Sequence, residues 1–187
     1  MTSFTEEQGK QLLQLARQSI RSHLEGIGLE PFPDNGFMHI PTASFVTLTQ
    51  HGQLRGCIGS LQAWRPLGDD VRGNAIAAAT RDPRFPALVP AELPLTRIEV
   101  SVLSDSTPIA FSDEQDLLRQ LRPGIDGLIL QQGDHHATFL PQVWHQLGEP
   151  ADFLAHLKMK AGLPPDYDSN KLAFSRYTVQ KWLEKPH

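Results

Sequence analysis

One predicted hairpin restricts the fold more than any other stretch of this sequence. Ser44-Phe45-Val46-Thr47-Leu48-Thr49-Gln50 is rich in β-branched and aromatic residues, which suit a pleated, partly buried strand. His51-Gly52 follows. Glycine takes positive φ without steric cost and histidine takes it more readily than most residues, so a two-residue primed turn is expected. The returning strand is Leu54-Arg55-Gly56-Cys57-Ile58-Gly59. In the register that turn sets, Leu48 faces Arg55 and Val46 faces Cys57. Arg55 and Cys57 then share one face, while Phe45, Leu54 and Ile58 take the other. Both faces carry apolar side chains, as in a covered sheet.

The returning strand also carries the candidate chemistry. Cys57 is the only cysteine. A thiol beside a cation forms more thiolate, which makes Cys57 a candidate nucleophile. A lone cysteine is more often a small buried apolar group. Arg55 can grip an anionic group in bidentate fashion, or it can pair with a strand carboxylate such as Glu99. Gly56 and Gly59 mark a small docking floor, a bulge, or tight packing of a helix on the sheet. A second stretch, Thr80-Arg81-Asp82-Pro83-Arg84-Phe85-Pro86, is stiffened by two prolines. Asp82 and Arg84 are thereby held in set directions. They either close over an anion beside Arg55, or cap a turn and pair locally.

Several function classes are disfavoured. A net charge of −4 and a pI near 6.0 argue against an electrostatic nucleic-acid binder. One cysteine allows no internal disulfide and fits a reducing compartment, so a cytoplasmic location is expected. The first residues lack a basic region followed by an apolar core, so no secretory signal is expected, and no apolar run reaches membrane-spanning length. Adjacent Asp69 and Asp70 suit the start of a helix, where negative charge is favoured. His135 and His136 face opposite sides of a strand, and no partner spacing accompanies them. No Walker or dinucleotide pattern is present. Neither a metal nor a cofactor is therefore expected.

Around the hairpin, Thr5 and Gln8 form a capping box for a helix whose stripe is Leu12, Leu13, Ala16, Ile20 and Leu24, stopped by Gly26 and Gly28. Residues 27–41, which include Pro31, Pro33, Asp34-Asn35-Gly36 and Pro41, read as a structured connection with a short edge strand over residues 36–40. Pro66 opens a helix with Leu67, Val71, Ala75, Ala78 and Ala79 inward. Residues 97–104 alternate as a strand. Ser112-x-x-Gln115 caps a short helix. After a turn at residues 123–127, residues 128–131 and 137–140 form a second hairpin. Pro150 opens a helix ended by Gly162, with Lys158 and Lys160 suiting its C-terminal dipole. Residues 172–179 form a closing strand with an irregularity near Ser175 or Arg176, and Trp182 and Leu183 anchor the tail.

Leu54-Arg55-Gly56-Cys57-Ile58-Gly59 resembles the signature of the AMMECR domain family, whose bacterial members are called AmmeMemoRadiSam system protein A. The likeness continues through residues 82–86, 99–104, 124–128, 139–143 and 160–163, in the family's order and over most of the chain. The chain departs from the usual pattern at Asp134-His135-His136. The resemblance implies an α+β fold of two unequal lobes, each an antiparallel sheet with helices. The expected division is a larger lobe of residues 1–122 plus 166–187 and a smaller lobe of residues 123–165. It also implies work beside a Memo-like protein and a radical-SAM protein. It carries over no catalytic residue. Three functions therefore stand open. The first is an accessory module making contact through Arg55, Gly56, Gly59 and Arg84. The second is an enzyme using Cys57 as nucleophile or carrier. The third is a small-anion binder using Arg55 and Arg84.

Overall fold

The computed structural model describes residues 3–32 and 36–186. The helices are α1 (Glu6–Glu25), α2 (Leu67–Thr80), α3 (Glu114–Gln120) and α4 (Pro150–Lys160). The strands are β1 (Ser44–Gln50), β2 (Gln53–Gly59), β3 (Arg97–Leu103), β4 (Thr107–Pro108), β5 (Gly127–Gln132), β6 (His135–Phe139), β7 (Ala173–Tyr177) and β8 (Val179–Leu183). They form two four-stranded sheets, ordered β2-β1-β3-β8 and β4-β7-β5-β6. The fold is α+β, as expected. No helix among the described residues is long and apolar enough to cross a membrane.

The chain divides into two units. The first runs to Leu103 and resumes at Gln180, and the second is Ser104–Val179. In the first, the Thr5 hydroxyl accepts from Gln8 N at 3.2 Å while Gln8 Oε1 accepts from Thr5 N at 2.8 Å, the reciprocal box that starts α1. Gly26 ends the helix at φ +67°. Leu12, Ala16 and Ile20 enter a core with Val46, Leu48, Val71, Ala75, Ile98 and Val100. Strand β1 pairs antiparallel with both β2 and β3. Trp182 of β8 joins the same core, lying where a side chain on Gly9 would sit, 2.3 Å from the position of its Cβ. In the second unit, Leu117, Leu128, Leu130, Phe153, Leu157 and Phe174 form a separate core, and Trp144 stacks on Phe153 with ring centroids 3.7 Å apart.

Some local expectations change. Residues Gly36–His39 form a 3-10 turn rather than an edge strand: the Ile40 N–H closes back on the Phe37 carbonyl at 3.4 Å instead of joining a sheet, and Met38 is buried in the first core. Pro33, Asp34 and Asn35 of this connection lie outside the described residues. Helix α3 is capped by Asp113, which accepts from Asp116 N at 2.8 Å; Asp116 returns a bond from Ser112 N. The cap therefore sits one residue later than the Ser112-x-x-Gln115 pattern suggests. The closing strand is two strands. The ladder breaks at Thr178, so β7 pairs with β4 and β5 while β8 joins the other sheet. This break moves the division of the chain away from 122/123 and 165/166. Strand β7 is an inner strand of the second sheet, and Leu117 of α3 and Leu121 just after it are buried in the second core.

Candidate functional site

The site begins at the hairpin turn. His51 and Gly52 adopt φ of +50° and +77°, the two positive values a primed turn requires. Gln50 then faces Gln53 and Thr49 faces Leu54. Beyond that rung the register shifts by one residue. Leu48 faces Gly56, Thr47 faces Cys57 and Val46 faces Ile58, so the expected Leu48–Arg55 and Val46–Cys57 pairs do not form. Arg55 is the extra residue of a β-bulge. Such an insertion breaks strict alternation, because two residues on one strand oppose a single partner.

The bulge separates the two candidate groups. Arg55 turns to the side of Leu48 and Gln50. Its Nε and Nη2 donate to the two carboxylate oxygens of Glu92, each at 3.1 Å. Glu92, in the 3-10 turn Pro90–Leu95, also accepts from Val89 N at 2.9 Å and Gln50 Nε2 at 3.4 Å. Arg55 foremost, then the Val89 N–H, holds this carboxyl below its usual range against the opposing effect of burial. With only 11% of its side chain exposed, Arg55 is an internal ion pair, and its partner is Glu92 rather than Glu99. Cys57 instead takes the side of Thr47, whose hydroxyl lies 3.2 Å from its sulfur. The thiol is half-buried. Guanidinium and thiol thus leave the strand on opposite faces.

The two glycines serve packing. A Cβ on Gly56 would lie 2.2 Å from the Ala78 carbonyl oxygen of α2, so helix backbone and strand touch directly there. The run of alanines in α2 permits this approach. A Cβ on Gly59 would lie 2.2 Å from the ring of Phe45, its partner across the hairpin. Neither glycine leaves a floor for a ligand.

The stiff proline loop closes onto the strand. Asp82 is buried, and its Oδ2 accepts the Cys57 backbone N–H at 2.9 Å. Its carboxylate also accepts from Arg84 N, Nε and Nη2 at 3.0, 3.0 and 2.7 Å. Arg84 Nη2 reaches the Cys57 carbonyl at 3.5 Å. Strand β2 is an edge strand. At Cys57, these two side chains occupy the donor and acceptor positions that a neighbouring strand would otherwise use. The Arg84 hydrogen bonds foremost, outweighing burial and joined by the Cys57 N–H, hold the Asp82 carboxyl far below the usual carboxylate range. Arg84 remains 55% exposed, with its guanidinium carbon 5.5 Å from the centre of the Phe85 ring.

Two features were not read from the sequence. Thr47 faces Cys57 on one side and Glu99 on the other, so Cys57, Thr47 and Glu99 form one rung across three strands. That alignment depends on the bulge, which leaves no local signature. Asp70, expected to serve the helix dipole, is a buried hub. It accepts from Ser44 N, Ser44 Oγ, Ser60 Oγ, Arg65 Nε and Asn74 Nδ2 at 2.6–2.9 Å. It pins the start of β1 and the chain after β2 onto α2. Asn74, one helical turn after Asp70, was its only trace in the sequence. At the second hairpin, His135 Nδ1 donates to the Ala161 carbonyl at 2.8 Å. Among the described residues, no group of three or more His, Cys, Asp and Glu side chains is placed to hold a metal.

The fold and this loop-to-strand clip define an α+β protein of two sheet-and-helix units, with a lone half-buried thiol on an edge strand and a fixed exposed arginine in the loop clipped to it. The AMMECR1 family model matches residues 13–182, and the chain belongs to that family. It is 41% identical to a protein of Methanothermobacter thermautotrophicus over 95% of each chain. It is 36% identical to protein MJ0810 of Methanocaldococcus jannaschii, over 89% of this chain and 84% of the relative. The crystal structure of uncharacterized protein PH0010 from Pyrococcus horikoshii superposes with a TM-score of 0.84 at 33% identity, over 97% of this chain and 94% of that one.

Proposed function

We propose that this chain is an accessory module that works with a Memo-like protein and a radical-SAM protein in a modification pathway, and that Arg84 is its principal contact. The observation carrying this reading is how the candidate residues are used. Arg55 is neutralised by Glu92, Gly56 and Gly59 are filled by neighbours, and Asp82 is buried, whereas Arg84 is exposed and fixed by three bonds to Asp82. A cation held in one orientation loses little conformational freedom when it meets a carboxylate on a partner. The test is titration of a Memo-like protein and of a radical-SAM protein from the same genome. Arg84→Ala is expected to weaken binding on the order of tenfold, the worth of one charge-assisted contact. Arg55→Lys is expected to leave affinity unchanged in folded protein. Equal affinity for wild type and Arg84→Ala removes Arg84 from the contact.

A second reading makes Cys57 a nucleophile or carrier. It is favoured by the Thr47 hydroxyl at the sulfur and by Arg84 bonded to the residue's own carbonyl. Alkylation at neutral pH decides it: a thiol reacting no faster than free cysteine, together with full activity of Cys57→Ser, rules it out. A small-anion site gripped by Arg55 and Arg84 together is the least supported reading, because Arg55 already holds a carboxylate.

A further inference from the structure

The first unit contains a cavity of about 550 Å³ that neither the hairpin nor the proline loop touches. This is the size range of small-molecule sites, roughly 300–1,000 Å³. One wall is the face of α1 carrying Gln14, Leu15, Gln18 and Arg21, and the opposite wall comes from residues 29–32, Met38 and Arg72 of α2. Leu15 and Met38 are buried and supply an apolar floor. Phe32 supplies a flat apolar wall, and its position is fixed. The ring occupies the space beside Gly68, where a Cβ would lie 2.8 Å from it, and the Arg72 guanidinium carbon stands 5.1 Å from its centre. Arg72 Nη2 also donates to the Glu30 carbonyl at 2.5 Å, tying the second wall to α2. The walls are therefore formed in advance by contacts within the protein.

The polar groups at this cavity lean positive. Among the described residues, Arg21 and Arg72 line it against one carboxylate, that of Glu30, and Arg21 makes no hydrogen bond or ion pair. The carboxamides of Gln14 and Gln18 offer further donors on the exposed side of α1. We infer that this cavity binds a small organic anion, an apolar body that lies against Phe32, Leu15 and Met38 and carries one carboxylate or phosphate toward Arg21. The chemistry matches the usual design of such sites, apolar walls with a few polar groups that fix orientation. This proposal is independent of the Arg84 contact.

The test is calorimetric titration of the full chain with phenylacetate, phenyl phosphate and the neutral analogue benzyl alcohol, with amide chemical shifts recorded in parallel. One or both anions are expected to bind on the order of tenfold more tightly than the alcohol, as one charge-assisted contact would give. Shifts are expected to gather at residues 14–22. The stronger of the two anions identifies the head group. Arg21→Gln is expected to remove the preference for the anion. Gln18→Trp, at an exposed helical position, is expected to fill the mouth and abolish binding while leaving the amide spectrum folded. No binding of either anion overturns the inference. So does equal affinity for anion and alcohol, or a folded Gln18→Trp that binds as wild type does.

Discussion

Asp82 receives four hydrogen bonds on its two oxygens, one from the strand and three from Arg84. Its folded pKa lies below the unfolded value, so its ionised form stabilises the fold above the unfolded pKa near about 4, and that stability is lost as pH falls toward the folded value. Asp82→Asn is therefore expected to cost about 2 kcal/mol at pH 7, since it leaves Arg84 and the Cys57 N–H poorly matched. Urea titrations from pH 7 down to pH 3 check the sign: the gap between wild type and variant narrows with acid, and a constant gap contradicts the assignment. Gly56 is constrained by sterics instead. Gly56→Ala brings a methyl group against the Ala78 carbonyl, a backbone atom that cannot rotate away. A loss of about 3 kcal/mol in denaturant unfolding is expected, at the upper end of overpacking effects.

At the scale of elements, α4 illustrates a polar residue whose role changes with context. Lys158 lies in the last turn of α4, a position where a lysine usually serves the helix dipole. Its side chain is 1% exposed, and Nζ donates to Glu114 Oε2 at 2.7 Å and the Tyr167 carbonyl at 2.8 Å. Ser169 Oγ donates to the same Glu114 oxygen. These contacts join α3, α4 and the segment before β7. Burial opposes the Glu114 charge, yet the Lys158 and Ser169 bonds outweigh it and lower its pKa. Lys158→Met keeps the packing and removes the charge. It is expected to cost about 2 kcal/mol by urea unfolding, less than a fully buried pair would lose because Glu114 is 45% exposed. Tyr177 marks the junction of β5, β6 and β7 in the same unit. Its hydroxyl lies 3.0 Å from Thr138 Oγ1 and 3.2 Å from the Phe139 carbonyl. Burial pushes its pKa up to about 12, with the Thr138 bond acting in the opposite sense. The neutral phenol thus stabilises the fold fully below about pH 10, and that contribution fades as pH rises through about 12. In Tyr177→Phe, alkaline unfolding is expected to lose this component, seen as a shallower fall in stability between pH 10 and 12.

At the scale of the molecule, each unit has its own core, and the first is assembled from both ends of the sequence. Trp182 shows how. It packs edge-on to Phe4, with centroids 6.4 Å apart, and fills the space over Gly9. Glu184 then accepts from Arg17 of α1 at 2.6 Å and from Ile98 N at 2.9 Å. Trp182→Ala is expected to cost about 3–5 kcal/mol, the range for losing a large core aromatic. Hydrogen exchange is expected to place the loosened amides in α1 and β3, more than 75 residues away along the chain, as local opening follows the cooperative unit rather than sequence distance. Loosening confined to residues 170–187 would show that the tail merely rests on the first unit.

The sequence by itself determined the parts whose physics is local. Thr5 and Gln8 lie three residues apart, Gly26 tolerates the left-handed cap, His51-Gly52 accepts two positive φ values, and Ile98, Val100 and Val102 alternate onto one face. These elements follow from propensity and periodicity within a few residues. The tertiary structure alone decided which face each candidate group occupies. A bulge at Arg55 leaves no local signature and shifts the partner of every later residue in β2 by one, leaving Arg55 to Glu92 and Cys57 to Thr47. The break at Thr178 and the burial of Asp70 and Lys158 were likewise settled by partners 26 to 74 residues distant. No local propensity encodes such pairings, because they exist only once packed elements bring the groups within hydrogen-bonding reach.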